Sequence, residues 1–488
     1  MTSPFFPPLS LGMKQILCSA ILCALLLTGC SPERQATGFD VDGALAECDR
    51  QVHRALAQLG ASGAIDTTMM PRNVAPGDSA WSCRPLCAEE WCSGFWPGIL
   101  WLDYEAQLAA GRMDESALQV RRAAIDATMA MHRVVDRPVF DHDLGFLIFC
   151  SAGTGLRVLR QEMERTDLSR QQRAESMAAA ECFRTLCLRA ADSLATLFNP
   201  TVGTILSWPR NIQMFGGHNT IMDNMINLEM LCWAAEEGGK EGMENERGKN
   251  ERVKNEGGKS EGVKSEGVKS EKYDEPKSAN NNSVNRKLYD IAVRHAETTR
   301  RHHFRPDGTC YHVAVYDTLD GHFIHGVTHQ GLADSSTWAR GQAWAVYGFT
   351  TMYRFTRNEH FLEMARQAAD AFLRRLQATS DDWVPLWDFD DPRGLQAPKD
   401  ASAACIVASS LLELQGYLGA EDGKPYYEAA CNMLRDLSSD AYRAAPQSCA
   451  FLLHSTGNLP AGSEIDVPII YADYYYLEAL NRYKALNR

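Results

Sequence analysis

Apolar residues recur every three or four positions along much of the chain, and this spacing predicts amphipathic helices. The pattern is clearest in the stretches 41–59, 183–197 and 361–376. Further helices are predicted near 114–134, 287–301, 337–355, 403–417 and 471–485. Clusters of Gly, Pro, Asn and Asp separate the helices, for example at 199–203 and 391–399. Because no sustained alternation of apolar and polar residues predicts a sheet core, the sequence indicates about a dozen helices and an all-α fold.

One long segment interrupts this pattern. Residues 236–285 are rich in Lys, Glu, Gly, Ser and Asn, and the unit Glu-Gly-Val-Lys-Ser at 261–265 is repeated at 266–270. A segment with so few apolar side chains cannot offset the entropy lost on ordering. We therefore expect a disordered insertion between two helices of one domain that spans residues 31–488.

The N-terminal residues have the pattern of an export signal. Lys14 precedes an apolar stretch at 16–27, which is followed by Thr28, Gly29 and Cys30. A short positive region, a short apolar core and small residues are typical of a secretory signal. Leu-Thr-Gly-Cys resembles the bacterial lipobox, so residues 1–30 are predicted to be a lipoprotein signal peptide with lipid on Cys30. The alternative is an ordinary cleaved signal. The lipoprotein interpretation predicts a protein of the bacterial cell envelope, periplasmic or outer-membrane associated, that contacts the membrane through this lipid only.

Composition and charge exclude some functions. The chain has 488 residues, of which 45% are hydrophobic, and a formal net charge of −13. This charge argues against nucleic-acid binding, which needs a basic face. It does not exclude an acidic substrate, because salt screens distant charges and nearby cations decide what binds. The cluster Cys83, Cys87 and Cys92 could form a disulfide or part of a metal site, but no matching Cys or His pair follows at zinc spacing, so no metal is predicted.

Polar and aromatic residues crowd into a few short segments, which are 94–101, 142–146, 218–227, 311–312, 328–331 and 338–344. Each residue alone has a purely structural interpretation. Asp143 could cap a helix, Asp223 could be a satisfied polar group of the core, and Trp344 could be ordinary packing. Taken together, carboxylates, histidines and tryptophans among small residues suggest a carbohydrate cleft, where aromatic faces stack on sugars and polar groups orient them.

In this order, the segments resemble the unsaturated glucuronyl hydrolases of glycoside hydrolase family 88. The resemblance runs from about residue 91 to 480 apart from the insertion. It rests on the strings at 142–146, 223–225, 336–344, 387–390, 400–403 and 466–475. The family implies an (α/α)6 barrel, which agrees with the dozen helices expected from periodicity.

The resemblance also implies residue roles. Asp223 matches the general acid/base, and Asp143 matches a second essential carboxylate. The positions that match the sugar subsite are Trp96, His142, His312, Gln330, Arg340 and Trp344. The implied reaction releases a terminal 4,5-unsaturated glucuronic acid from lyase-generated acidic oligosaccharides. It needs neither metal nor organic cofactor.

The chemistry sets requirements for these residues. Protonation of C4 places oxocarbenium-like charge at C5, water adds there, and the resulting hemiketal opens. Asp223 can donate this proton only if its pKa is raised, which desolvation and negative charge from Asp143 and the substrate would do. Arg340 would then balance the uronate charge, and on a helix Arg340 and Trp344 would share one face.

Three alternatives remain open at the level of sequence. They are an unsaturated rhamnogalacturonyl hydrolase with similar chemistry, a sugar epimerase with histidine bases, and a non-catalytic glycan-binding lipoprotein. No Lys or Arg occurs between Arg443 and Arg482. The loop near His454 therefore offers no cation for a sulphate, which favours unsulphated or lightly sulphated substrates.

Overall fold

The structure is a computed structural model that describes residues 39–60, 66–238 and 286–488. Residues Val41–Arg488 form one compact unit. The predicted signal peptide with Cys30, and residues 239–285 of the predicted insertion, lie outside the described residues. The insertion was predicted to begin at about residue 236, and the preceding helix continues to residue 238.

Twelve α-helices longer than one turn occur in the described part of the chain. They are α1 (Val41–Leu59), α2 (Phe95–Ala109), α3 (Glu115–Ala130), α4 (Thr154–Met163), α5 (Arg170–Ala195), α6 (228–238), α7 (Arg286–His302), α8 (Ala339–Thr356), α9 (Glu359–Thr379), α10 (Ala401–Leu414), α11 (Ala420–Leu437) and α12 (Ile470–Leu486). A π-helix (Gly145–Gly153) leads into α4, and a 3-10 turn (Met222–Asn227) leads into α6.

The even-numbered helices form a closed inner ring. Contacts run from α2 to the π-helix and α4, from the π-helix to the turn before α6, and from that turn to α8. The ring continues through α10 and α12, and α12 packs back against α2. The odd-numbered helices pack outside. Six inner and six outer helices make an (α/α)6 barrel, which confirms the predicted fold.

Side-chain patterning follows the two layers. Of the 14 residues of α10, all but Glu413 are buried, because an inner helix meets neighbours on every side. The outer helix α9 instead buries one stripe that includes Phe361, Ala365, Phe372 and Leu376. This stripe follows the spacing seen in the sequence.

In addition to the helices, the described residues form three small sheets. They pair β1 (Met69–Val74) with β2 (Trp81–Pro85), pair β3 (Phe198–Asn199) with β4 (Thr204–Ile205), and join β5 (His218–Ile221), β6 (Val313–Tyr316) and β7 (Phe323–Val327) in that order. All pairings are antiparallel. Strands of two to six residues are too short for alternation to predict them. In the third sheet Ile221 pairs with Val313, so the turn after β5 lies beside the residue before β6.

None of the helices in the described residues has the length and apolarity needed to cross a membrane.

Candidate active site

The candidate site lies where inner helices begin. Asp143 precedes the π-helix that leads into α4, and Asp223 lies in the turn that leads into α6. Arg340 is in the first turn of α8, and Asp400 is the N-cap of α10. The positive ends of these helix dipoles face the site, which favours negatively charged groups there.

Asn227 ties the segment around Asp143 to the turn that carries Asp223. Its side-chain oxygen accepts a hydrogen bond from the Gly145 backbone at 2.8 Å, and its amide donates to His142 Nδ1 at 3.0 Å. A Cβ on Gly145 would lie 2.2 Å from the Asn227 oxygen, so this close approach requires glycine. Asn227 thereby fixes the distance between the two segments that carry the catalytic candidates.

Asp223 is a buried carboxyl group next to a buried histidine. The side chain of Asp223 is 11% exposed, and its Oδ2 lies 3.5 Å from His312 Nε2. Burial raises the pKa of Asp223 to about 7, although Arg340 and the Trp344 indole favour the charged form. Asp223 is therefore protonated in a substantial fraction of molecules at neutral pH, as a general acid requires.

Asp143 is electrostatically coupled to Asp223. Burial, together with the negative charge of Asp223, raises the pKa of Asp143 to about 7. His142 Nε2 lies 3.4 Å from Asp143 Oδ1. The structure therefore brings the two predicted carboxyl groups into one site. Burial raises the pKa of Asp223 as expected, whereas Asp143, which was also expected to raise it, is not among the groups that shift it.

Both site histidines are neutral. Burial lowers the pKa of His142 to about 4 and holds that of His312 well below its usual range. His142 Nδ1 accepts from Asn227, and His312 Nδ1 accepts from the backbone N–H groups of His329 and Gln330 at 3.2 and 3.3 Å. The proton of each ring is thus on Nε2, which faces Asp143 or Asp223. Each ring can donate a hydrogen bond to its carboxylate.

The guanidinium group of Arg340 is hydrogen-bonded to other groups of the protein. Its Nη1 donates to Asp400 Oδ2 and to the Thr456 carbonyl, both at 2.6 Å, and its Nη2 donates to the Gly457 carbonyl. The residue is 1% exposed, and the guanidinium carbon lies 4.6 Å from the centroid of the Trp338 ring. Arg340 contributes positive charge near Asp223.

The remaining predicted residues, Gln330, Trp344 and Trp96, differ in how they relate to the site. Gln330 donates to the Gly457 carbonyl at 3.2 Å, so it shares an acceptor with Arg340. Trp344 is fully buried against Phe146 and Tyr475, so it does not present an open ring face. Trp96 is buried in the first turn of α2 and, among the described contacts, none joins it to the other predicted residues.

Sequence reasoning missed several residues of the site. The ring of Trp208 contacts His142, His312 and His329 at centroid distances of 6.2, 6.1 and 5.0 Å. Asn219 holds the Trp208 backbone through both amide atoms. The only signal in the sequence is a Trp-Pro-Arg string between two helices. Asp141 and Arg210, which lie near Asp143, were also missed. Their contact could not be predicted, because the two residues meet only in the folded chain.

A cavity of about 780 Å³ opens at the other end of the barrel. It is lined by paired Arg and Glu side chains, among them Arg354, Arg482, Glu413 and Glu478. Arg354 and Arg482 lower the pKa of Glu413 to about 2, so this carboxyl group is charged, in contrast to Asp223. In the described residues, one group of side chains has metal-ligand spacing, Asp317 with Asp320 and His322, and it lies in the turn between β6 and β7. Cys83, Cys87 and Cys92 are unpaired.

Comparison with known proteins assigns the family. The family model described as Glycosyl Hydrolase Family 88 matches residues 278–479. The unsaturated glucuronyl hydrolase of Formosa agariphila is 35% identical over 397 residues, which cover 81% of this chain and 80% of the relative. The chain belongs to glycosyl hydrolase family 88.

Solved structures of family 88 enzymes agree with this assignment. A crystal structure of an unsaturated glucuronyl hydrolase specific for heparin is 34% identical, with a TM-score of 0.68, and the match covers 92% of this chain and 97% of that one. The Bacillus sp. GL1 unsaturated glucuronyl hydrolase, described as responsible for glycosaminoglycan degradation, is 28% identical with a TM-score of 0.69, covering 91% and 97%. The family 88 chain described here is therefore a glycoside hydrolase with an (α/α)6 barrel.

Proposed function

We propose that this protein hydrolyses lyase-generated oligosaccharides and releases their terminal 4,5-unsaturated glucuronic acid. The observation that carries the proposal is a protonatable Asp223, buried beside neutral His312 and coupled to Asp143. A non-catalytic glycan-binding protein has no use for a carboxyl group with a pKa of about 7 at this position. An epimerase would need histidines that act as bases. His142 and His312 do not fit that role, because their Nε2 atoms already carry protons.

The mechanism follows from the charge states. Protonated Asp223 donates to C4 of the C4=C5 double bond, and positive charge develops at C5 and the ring oxygen. The resulting Asp223 carboxylate accepts a proton from the water that attacks C5, while His312 Nε2–H stabilises that carboxylate. Asp143, as a carboxylate, stabilises the positive charge at C5. The hemiketal at C5 then opens and the aglycone leaves.

We propose a glycosaminoglycan-type substrate with little or no sulphate. The glycosaminoglycan class is supported by two similar enzymes, one described as specific for heparin and one as responsible for glycosaminoglycan degradation. The positive ends of the inner helices and Arg340 suit the uronate carboxylate. The loop from residue 454 to 467 supplies carbonyl groups to Arg340 and has no Lys or Arg of its own for a sulphate.

The test of the proposed function is Asp223→Asn with an unsaturated disaccharide. Asparagine has nearly the same shape but cannot donate a carboxyl proton, so turnover is expected to fall by about 100-fold or more. Loss of the ultraviolet absorbance of the conjugated double bond measures the rate. The matched control is Asp320→Asn, an exposed carboxyl group in the turn between β6 and β7, which should keep full activity.

Full activity of folded Asp223→Asn would contradict the proposed role of Asp223. If the unaltered protein consumes no unsaturated disaccharide from a panel of lyase-digested chondroitin, hyaluronan, heparin and plant or bacterial glycans, the proposed function itself is wrong. Turnover restricted to rhamnogalacturonan fragments would instead identify the sister activity.

We also propose that the protein is exported and anchored in the cell envelope by lipid on Cys30. The support is the Leu-Thr-Gly-Cys string after an apolar stretch. Bacteria that express the full chain and are fed an alkyne fatty acid should label the protein, and Cys30→Ser should abolish the label. Equal labelling of the two chains would contradict the proposal.

A further inference from the structure

Asp141 uses both of its carboxyl oxygens to hold the segment around Asp143. Its Oδ1 accepts a hydrogen bond from the Asp143 backbone N–H at 3.2 Å, and its Oδ2 accepts from Arg210 Nη1 at 2.8 Å. Asp141 is 5% exposed. A carboxyl group this deeply buried requires compensating partners, and it has one on each oxygen.

Arg210 holds the outer end of this arrangement. Its side chain is 46% exposed, and its guanidinium carbon lies 4.4 Å from the centroid of the Phe140 ring. The turn that carries Arg210 is fixed to the same segment, since His142 N–H donates to the Ser207 carbonyl at 3.2 Å. The guanidinium group of Arg210 is thus held by the Phe140 ring on one face and by the Asp141 carboxylate at one edge.

Several charged and titratable groups face Asp143 from the surrounding elements. They are Asp141 and His142 on its own segment, Asp223 on the turn before α6, Arg210 on the turn after β4, Arg72 on β1 and Cys92 on the turn before α2. Of the two arginines, Arg72 is paired with Glu464 and Glu90. Arg210 is the one bonded directly to the segment of Asp143.

We propose that Arg210 and Asp141 are positioning residues that hold Asp143 in place and keep it charged during catalysis. The inference rests on the proposed function, in which Asp143 acts as a carboxylate. Asp141 fixes the backbone of Asp143 by accepting its N–H, and the positive charge of Arg210 favours the ionised form of both carboxyl groups. Nothing in this role requires either residue to touch the substrate.

The proposal makes a signed prediction for the pH profile. Without the positive charge of Arg210, Asp143 loses its proton less readily, because Arg210 is one of the positive groups that lower its pKa. Activity that depends on charged Asp143 must then begin at higher pH. The alkaline limb of the pH profile reflects loss of the proton from Asp223. It should stay at the same pH, because Arg210 is not among the groups that shift the pKa of Asp223.

The experiment compares full pH profiles of kcat/KM for the unaltered protein, Arg210→Gln and Arg210→Lys with an unsaturated disaccharide. Arg210→Gln should move the acid limb upward by about half a pH unit or more and leave the alkaline limb in place. Arg210→Lys keeps the charge and should restore the limb. The matched control is Arg189→Gln, which removes a half-exposed ion pair with Asp136 on an outer helix.

Each outcome decides the proposal. An acid limb that does not move in Arg210→Gln, whether activity stays or falls equally at all pH values, would overturn it. Equal shifts in Arg210→Gln and Arg210→Lys would also overturn the charge role. Thermal unfolding of each variant detects a folding defect. Failure of the proposed function is distinct, since the unaltered protein would then show no turnover to profile.

Discussion

Three buried aspartates lie within the candidate site, and burial raises the pKa of Asp141, Asp143 and Asp223 to about 7 each. The ordinary value is 3.8. A folded-state pKa above the unfolded one means that the folded protein binds these protons more tightly. Ionisation therefore destabilises the fold as the pH rises from about 4 through 7.

Asp223→Asn should accordingly stabilise the protein at alkaline pH while it abolishes turnover. A shift of about three pKa units corresponds to about 2–4 kcal/mol in the free energy of unfolding at pH 8. The gain should shrink as the pH falls and disappear near pH 4, where the native carboxyl group is neutral. Thermal unfolding at pH 4, 6 and 8 measures this. A variant with equal or lower Tm at pH 8 would argue against a costly buried charge.

A second prediction concerns substitution of Arg340, which should change KM. Arg340→Lys keeps one positive charge, but an ammonium group cannot reach Asp400 and two carbonyls in the fork geometry of a guanidinium. We expect KM for the unsaturated disaccharide to rise about tenfold, because the loop at Thr456 and Gly457 that Arg340 holds would shift, and a charge-assisted hydrogen bond contributes about 1.5–3 kcal/mol. Initial rates across substrate concentrations test this. An unchanged KM would mean that the loop keeps its position without the guanidinium group.

At the scale of elements, the geometry depends on the contact between the π-helix and the turn before α6. Gly145→Ala places a methyl group against the Asn227 side chain at 2.2 Å, so one of the two segments must move. Turnover should fall at least tenfold and Tm should drop, consistent with overpacking costs of about 1–3 kcal/mol.

Gly416→Ala is the matched control for Gly145→Ala, because a Cβ at Gly416 meets no atom within 4 Å. This control should keep its turnover and its Tm. If Gly145→Ala behaves in the same way, Asn227 does not fix the distance between the two carboxyl groups.

The elements also show which parts of the fold could be predicted from the sequence. The stripes of α1, α5 and α9 could be read from spacing alone, because helical periodicity is a local property. The third sheet could not, since β5 pairs with a strand that follows more than 90 residues later, beyond the segment rich in Lys, Glu and Gly. The same limit applies to the site. Asp223 and Asp143 were identified by family resemblance, whereas the contact of Asp141 with Arg210 arises only when distant loops meet.

At the scale of the whole molecule, the charged network opposite the active site holds the ends of the inner helices. Glu413 accepts from Arg354 Nε and Nη2 at 2.7 Å and lies 3.0 Å from Arg482. Burial would raise the pKa of Glu413, but the two arginines outweigh it and lower the pKa to about 2. The arginines also face the negative ends of the helix dipoles.

Glu413→Gln should destabilise the barrel without altering the chemistry. A folded pKa below the ordinary 4.5 stabilises the protein above that pH, and this contribution is lost as the pH falls toward 2. We expect a loss of about 2–3 kcal/mol at pH 7 that shrinks below pH 4, with kcat unchanged. Denaturant titration at several pH values, alongside activity, measures both. A loss independent of pH would point to packing instead.

The inner ring closes only when α12 packs against α2. Because α12 follows α2 and both catalytic carboxyl groups in the chain, a growing polypeptide carries those groups before it can hold them in a common chamber. We therefore expect a chain that stops before residue 470 to be inactive, because it lacks the helix that closes the ring.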